Sequence, residues 1–222
     1  MMKNLYNALL LKQLYQLKDL GYRYTEAQPF SSEEKNQLEL PSSLSELKRQ
    51  AQNCHLCSLS KSRTHVVFGE GTESADIVIV GDMPLEMEDQ QGRVFLGRGG
   101  DMLTAMIEKV LESSRDKIYL TNLLKCRPLR SVALETTTFH TCKAYLFKEL
   151  EIINPKVVIT LGEHAYQYLT NDFRPLQELR GSLIEYSNYH IVPTYHPNFL
   201  LKNPSYKREV FIDLKRAKEL LT

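Results

Sequence analysis

An α/β fold with a parallel sheet between helices is predicted by three features of the 222-residue sequence. Four short runs are apolar without alternation, as strands buried on both faces must be. The first three are each followed, after a loop, by a stretch with helical spacing. Composition is globular, with 42% hydrophobic and 25% charged residues, ten Gly and nine Pro. That leaves one main domain with room for an appendage. It excludes collagen-like, low-complexity and coiled-coil classes, and no internal repeat is evident.

In chain order, residues 1–22 read as a helix, with Leu5, Leu9, Leu11, Leu14, Leu17 and Leu20 at three- and four-residue steps and Gly21 as a stop. Residues 23–43 are polar, carry two prolines and read as a linker. The expected division is therefore 1–43 and 44–222. Leu44–Asn53 is a short helix leading into Cys54. The strands are Ile77–Val80, Ile118–Thr121, Val157–Leu161 and Ile191–Thr194. Between and after them, helices are expected over Gly99–Ser113, Thr137–Ile153, Glu163–Leu169 and Lys207–Leu221.

No apolar run approaches the roughly 20 residues of a membrane helix. The N-terminus is interrupted by Lys12 and Gln13 and lacks a small-residue cleavage site, so it does not read as a signal peptide. A cytoplasmic protein with no membrane association is expected. Net charge is +1, from 28 basic and 27 acidic residues. Arg180–Thr222 holds seven basic against four acidic residues. A broad basic coat for nucleic acid is disfavoured, and a local groove is compatible.

Four cysteines, Cys54, Cys57, Cys126 and Cys142, carry the first chemical signal. A C-x-x-C turn lets two thiolates grip one centre, and two more complete four-coordination. Zinc and an iron–sulfur cluster both accept four thiolates, and ligand softness does not choose between them. Four buried free thiols are the minor alternative. The second signal is positional, because ligands of parallel sheets bind at the carboxyl ends of the strands. There lie Gly81-Asp82-Met83-Pro84, Asn122, Gly162-Glu163 and Tyr195-His196-Pro197.

The blocks CHLCSLSKSRTHVVFGEG, VIVGDMPLEMEDQQGRVFLGRGGDML, YLTNLLKCRPL, PKVVITLGEHA and TYHPNFLLKNP, in this order and with this cysteine spacing, resemble family 4 uracil-DNA glycosylases over about residues 54–216. The resemblance implies a three-layer α/β/α sandwich with a central four-stranded parallel sheet. It also implies a 4Fe-4S cluster on Cys54, Cys57, Cys126 and Cys142, and excision of uracil from DNA by residues 44–222, with a monomer expected. Phe95 matches the aromatic that stacks on uracil, Asn122 the residue that bonds the pyrimidine edge, and His196 the histidine that supports charge on the departing base. Glu88 and Asp89 match an acidic pair, and Gly81, Asp82 and Met83 lie in the first motif. That motif is typically GEAPG, whereas Gly81-Asp82-Met83-Pro84-Leu85 stands here, and Asn198 replaces the usual Ser after His196-Pro197.

The same residues carry the chemistry on physical grounds. An aromatic face holds an unstacked base, and an amide can donate to a carbonyl while accepting from a ring N–H. A histidine can stabilise the base anion, and Asp82, Glu88 or Asp89 could steady the sugar cation or position water. Arg98, Lys125, Arg127, Arg130, Lys202, Lys207 and Arg208 are phosphate-contact candidates, and Leu200 and Leu201 are candidate wedges. A slow or non-catalytic binder of uracil-containing DNA is the alternative function. A zinc-stabilised interaction module is a third, resting on the cysteines alone.

Overall fold

The computed structural model describes residues 40–129 and 136–221. The predicted N-terminal helix, all but the last four residues of the linker, and Arg130 lie outside the described residues. The first strand, β1 (Ile77–Gly81), is preceded by helix α1 (Leu44–Gln52) and followed by α2 (Glu86–Gln91) and α3 (Gly97–Lys109). Then come β2 (Tyr119–Asn122), α4 (Thr136–Ile153), β3 (Val157–Leu161), α5 (Glu163–Thr170) and the single turn α6 (Leu176–Leu179). A hairpin of β4 (Ile184–Tyr186) and β5 (Tyr189–Thr194) precedes α7 (Pro197–Lys202) and α8 (Lys207–Glu219). No described helix is long and apolar enough to cross a membrane.

The strand order is β2-β1-β3-β5-β4. The first four strands are parallel, as expected, but the sheet has a fifth, antiparallel member. This corrects the four-stranded expectation. Strand β4 is only three residues long and none of them is fully buried, so it lacks the apolar run that marks its neighbours. Its turn, Ser187-Asn188, places Ser187 at φ 56° without the glycine that usually advertises such a bend. At the opposite edge, Glu70 makes an isolated antiparallel bridge with Leu120.

Burial on both faces explains the unalternating runs. Val78 and Val80 point into one core with Leu47, Leu146 and Leu150, whereas Ile77 and Ile79 point into another with Leu103, Ile107 and Leu214. Helices α1 and α4 thus cover one face and α3 and α8 the other, giving three layers. Helix α3 ends four residues earlier than predicted, because the chain turns away through Glu112 at φ 50°.

Candidate active site

Phe95 is buried and held in the left-handed backbone region, φ 50°, where a non-glycine residue persists only if its surroundings over-determine it. They do so here. The Glu88 carboxylate accepts the Leu85 amide at 2.7 Å and the Leu96 amide at 3.1 Å, stapling the Phe95 loop to the start of α2. Arg115 donates to the carbonyls of Phe95 and Val94 and to Glu70. Gly100 lets the Phe95 carbonyl approach so closely that any Cβ would meet its oxygen at 1.8 Å. Burial pushes the Glu88 carboxyl above the usual carboxylate range, against the pull of the amides it accepts.

Register sets the next two residues. Gly81 pairs with Asn122 at the carboxyl ends of β1 and β2. A Cβ on Gly81 would meet Asn122 Oδ1 at 2.4 Å and Phe95 Cζ at 2.9 Å, so amide and ring converge over bare backbone. Asn122 is buried, and its Nδ2 has no hydrogen-bond partner among the described residues. A buried amide left without a partner costs about 1–3 kcal/mol, which a ligand would recover.

His196 caps α7, and its Nδ1 accepts the Asn198 amide at 3.1 Å. In the neutral ring the proton therefore sits on Nε2, which faces Asp82 Oδ1 at 4.0 Å. Desolvation holds the His196 imidazole below its ordinary value, with Asp82 opposing. The His196 and Phe95 ring centres are 6.4 Å apart. Asp82, Met83, Leu85, Glu88, Phe95 and His196 all line one pocket of about 400 Å³, within the roughly 300–1,000 Å³ of ordinary ligand sites.

The four cysteines line a separate small recess together with Leu56, Arg63 and Tyr145. Arg63 donates to the Cys126 sulfur and the Lys125 amide to the Cys142 sulfur, both at 3.3 Å. Desolvation raises both thiols, Cys142 to about 12. Four sulfurs round one recess, two of them taking N–H donors, match the chemistry of a thiolate-ligated centre. Among the described residues, however, no three His, Cys, Asp or Glu side chains converge closely enough to hold a metal ion ready-made.

A model of the uracil DNA glycosylase superfamily matches residues 68–215. A type-4 uracil-DNA glycosylase of Sulfurisphaera tokodaii is 37% identical over 186 residues, 80% of this chain and 84% of that protein. The type-4 enzyme of Saccharolobus solfataricus is 35% identical, covering 78% and 84%. That of Archaeoglobus fulgidus is 33% identical, covering 80% and 93%. The chain belongs to the type-4 uracil-DNA glycosylases.

Around this glycosylase-family pocket the structure places Asp82, Met83, Glu88, Phe95 and His196 in the lining. Gly81 and Asn122 lie beside it, against the Phe95 ring, and Asp89 lies outside it. Both Asp89 carboxylate oxygens accept the Thr64 amide at 3.0 Å, so its carboxylate braces the loop after the C-x-x-C turn. Glu88 lines the pocket with its oxygens already engaged by amides, which leaves Asp82 as the carboxylate facing the histidine. Lys125 is no phosphate contact. Its ammonium is buried 2.6 Å from Glu149 and bonded to Thr121 and the Asn122 carbonyl. Leu200 is wholly buried and cannot wedge into DNA, and the exposed apolar side chains at the pocket are Leu85 and Phe199. His164, 3.7 Å from Asp82, went unread in the sequence although it lies three residues beyond the end of β3.

Proposed function

We propose that the chain hydrolyses the N-glycosidic bond of uracil in DNA, leaving an abasic site for repair. The observation that carries this reading is the buried, unpartnered Asn122 amide beside the Phe95 ring, whose pocket also holds neutral His196. Drawing a nucleotide out of the stack costs a few kcal/mol, and stacking on Phe95 returns about 1–3 kcal/mol. Asn122 Nδ2 donates to a uracil carbonyl while Oδ1 accepts the ring N–H. Cytosine turns an amino group toward the same donor, and the mismatch excludes it. As the C–N bond breaks, the base gains negative charge and the sugar positive charge. His196 Nε2–H donates to the first, and the Asp82 carboxylate steadies the second or orients water.

The four cysteines would hold a 4Fe-4S cluster, which supplies structural cross-linking between the C-x-x-C turn, the loop after β2 and α4. The thiol recess and its two N–H···S contacts support a thiolate-ligated centre, and membership of the type-4 family favours the cluster over zinc. Four free thiols suit the reducing cytoplasm. The working unit is taken as a monomer, and the near-neutral net charge of +1 favours few phosphate contacts and a shallow salt slope. The reading of residues 1–43 as an accessory arm and 44–222 as the catalytic domain belongs to the same proposal.

Single-turnover assays on single-stranded oligonucleotides containing uracil, thymine or cytosine test it. Release of uracil alone is expected, with absorption near 400 nm from the purified protein. Absence of uracil release over hours refutes hydrolysis. Met83 and exposed Leu85 at the pocket favour a second reading, a slow or non-catalytic uracil-DNA binder. Selective retention of uracil-DNA without product would establish that one.

A further inference from the structure

Asp82 stands between two histidines. His196 Nε2 faces Oδ1 at 4.0 Å, and His164 Nδ1 faces Oδ2 at 3.7 Å. The two imidazoles differ in setting. His196 is desolvated and kept neutral, whereas His164, on the first turn of α5, is 60% exposed at its side chain and is drawn toward its protonated form by Asp82. Besides Asp82, Glu163 on its own helix is the other charge acting on His164, with Gln167 bonded to the Glu163 carboxylate. Among the described residues, β3, β5 and α4, against which α5 packs, add no charge to that pair. The first motif resembles a family pattern with Glu, and Asp82 is one methylene shorter. Its carboxylate oxygens each lie within 4.0 Å of a ring nitrogen of a different histidine.

We infer that His164 is a positioning residue of the proposed hydrolysis: its imidazolium grips Asp82 Oδ2 and so keeps Oδ1 turned to His196 and the pocket. The inference rests on the proposed glycosylase reading and gives a role to a residue of the PKVVITLGEHA block to which the resemblance assigns none. His164 sits outside the substrate pocket lining and acts through Asp82 rather than on the base. Deprotonation of His164 removes the charge from the grip, so the rate falls as pH rises through the His164 titration.

The test uses full-length protein in two independent measurements. NMR titration should show His164 holding its proton above the ordinary imidazole range in wild type and losing that excess in Asp82→Asn. An unshifted His164, or one indifferent to Asp82→Asn, overturns the pairing whether or not uracil is released. Single-turnover uracil release from pH 5.5 to 9 provides the second. His164→Ala should lower the maximal rate roughly fivefold below the His164 titration, the upper range for an exposed charge pair, with KM unchanged. It should also abolish the alkaline fall, and His164→Lys should restore the rate and carry it to higher pH. A rise in KM with unchanged rate would make His164 a phosphate contact and overturn the inference, as would an equal loss at every pH with no rescue by Lys. Wild-type protein that releases no uracil sinks the functional reading alone, since the titration still decides the pairing.

Discussion

Gly81→Ala isolates the geometry on which the proposed base recognition depends. The backbone of Gly81 is not in the left-handed region, so alanine meets no conformational penalty there. The added Cβ would lie 2.4 Å from Asn122 Oδ1 and 2.9 Å from Phe95 Cζ, against 3.4 Å for ordinary contact. The amide must therefore retreat by about 1 Å and the ring by about half that. Misplacement of a reacting partner by about 1 Å can cost on the order of 10²-fold in rate. Overpacking costs about 1–3 kcal/mol of stability, which a domain of ordinary stability survives. The expected result is a folded protein by circular dichroism whose single-turnover uracil release falls about 100-fold. A rate within threefold of wild type, with the fold intact, would refute the convergence of Asn122 and Phe95 on the base.

Four further outcomes follow from the packing. Lys125→Met leaves the Glu149 carboxylate fully buried and should cost about 3–5 kcal/mol in urea denaturation, while Lys125→Met/Glu149→Leu should recover most of it; equal loss in both variants would deny the pair. His196→Asn keeps a helix cap but removes the imidazole donor, and should lower the maximal rate about 10²–10³-fold with α7 intact by amide exchange. His196 also has its folded value depressed, so its contribution to stability is complete above the ordinary imidazole value and is lost as pH falls through the folded one. Wild type should weaken across that acidic window more than His196→Asn, and parallel denaturation curves would exclude it. Cys142→Ser should abolish absorption near 400 nm; an unchanged spectrum would remove Cys142 from the ligand set.

The legible parts of the fold are those with a single physical cause. Ile77–Gly81 and Val157–Leu161 could be read because each feeds two cores and tolerates no polar face. Strand β4 feeds no core fully and left no such trace. Parallel topology then places Gly81, Asp82, Asn122 and His196 at one end of the sheet, which is why the strand-end rule found them. Glu88 and Asp89 were inseparable in sequence because adjacent helix positions diverge by about 100°. One turns to the Phe95 loop and the other to Thr64. Lys125 reads as a phosphate contact in the sequence because its partner, Glu149, lies 24 residues away.

Parallel sheets expose two lateral edges, each a row of unpaired amides and carbonyls on which another chain can template. Here three-residue β4 covers β5 and the Glu70 bridge guards β2. Glu70 also receives Arg115, the clamp on the Phe95 carbonyl. One position therefore serves the sheet edge through its backbone and the Phe95 loop through its carboxylate. Replacing the Glu70 side chain would leave that border guarded by its backbone while freeing Arg115 and loosening the Phe95 loop, so the edge and the pocket can be perturbed separately at one position.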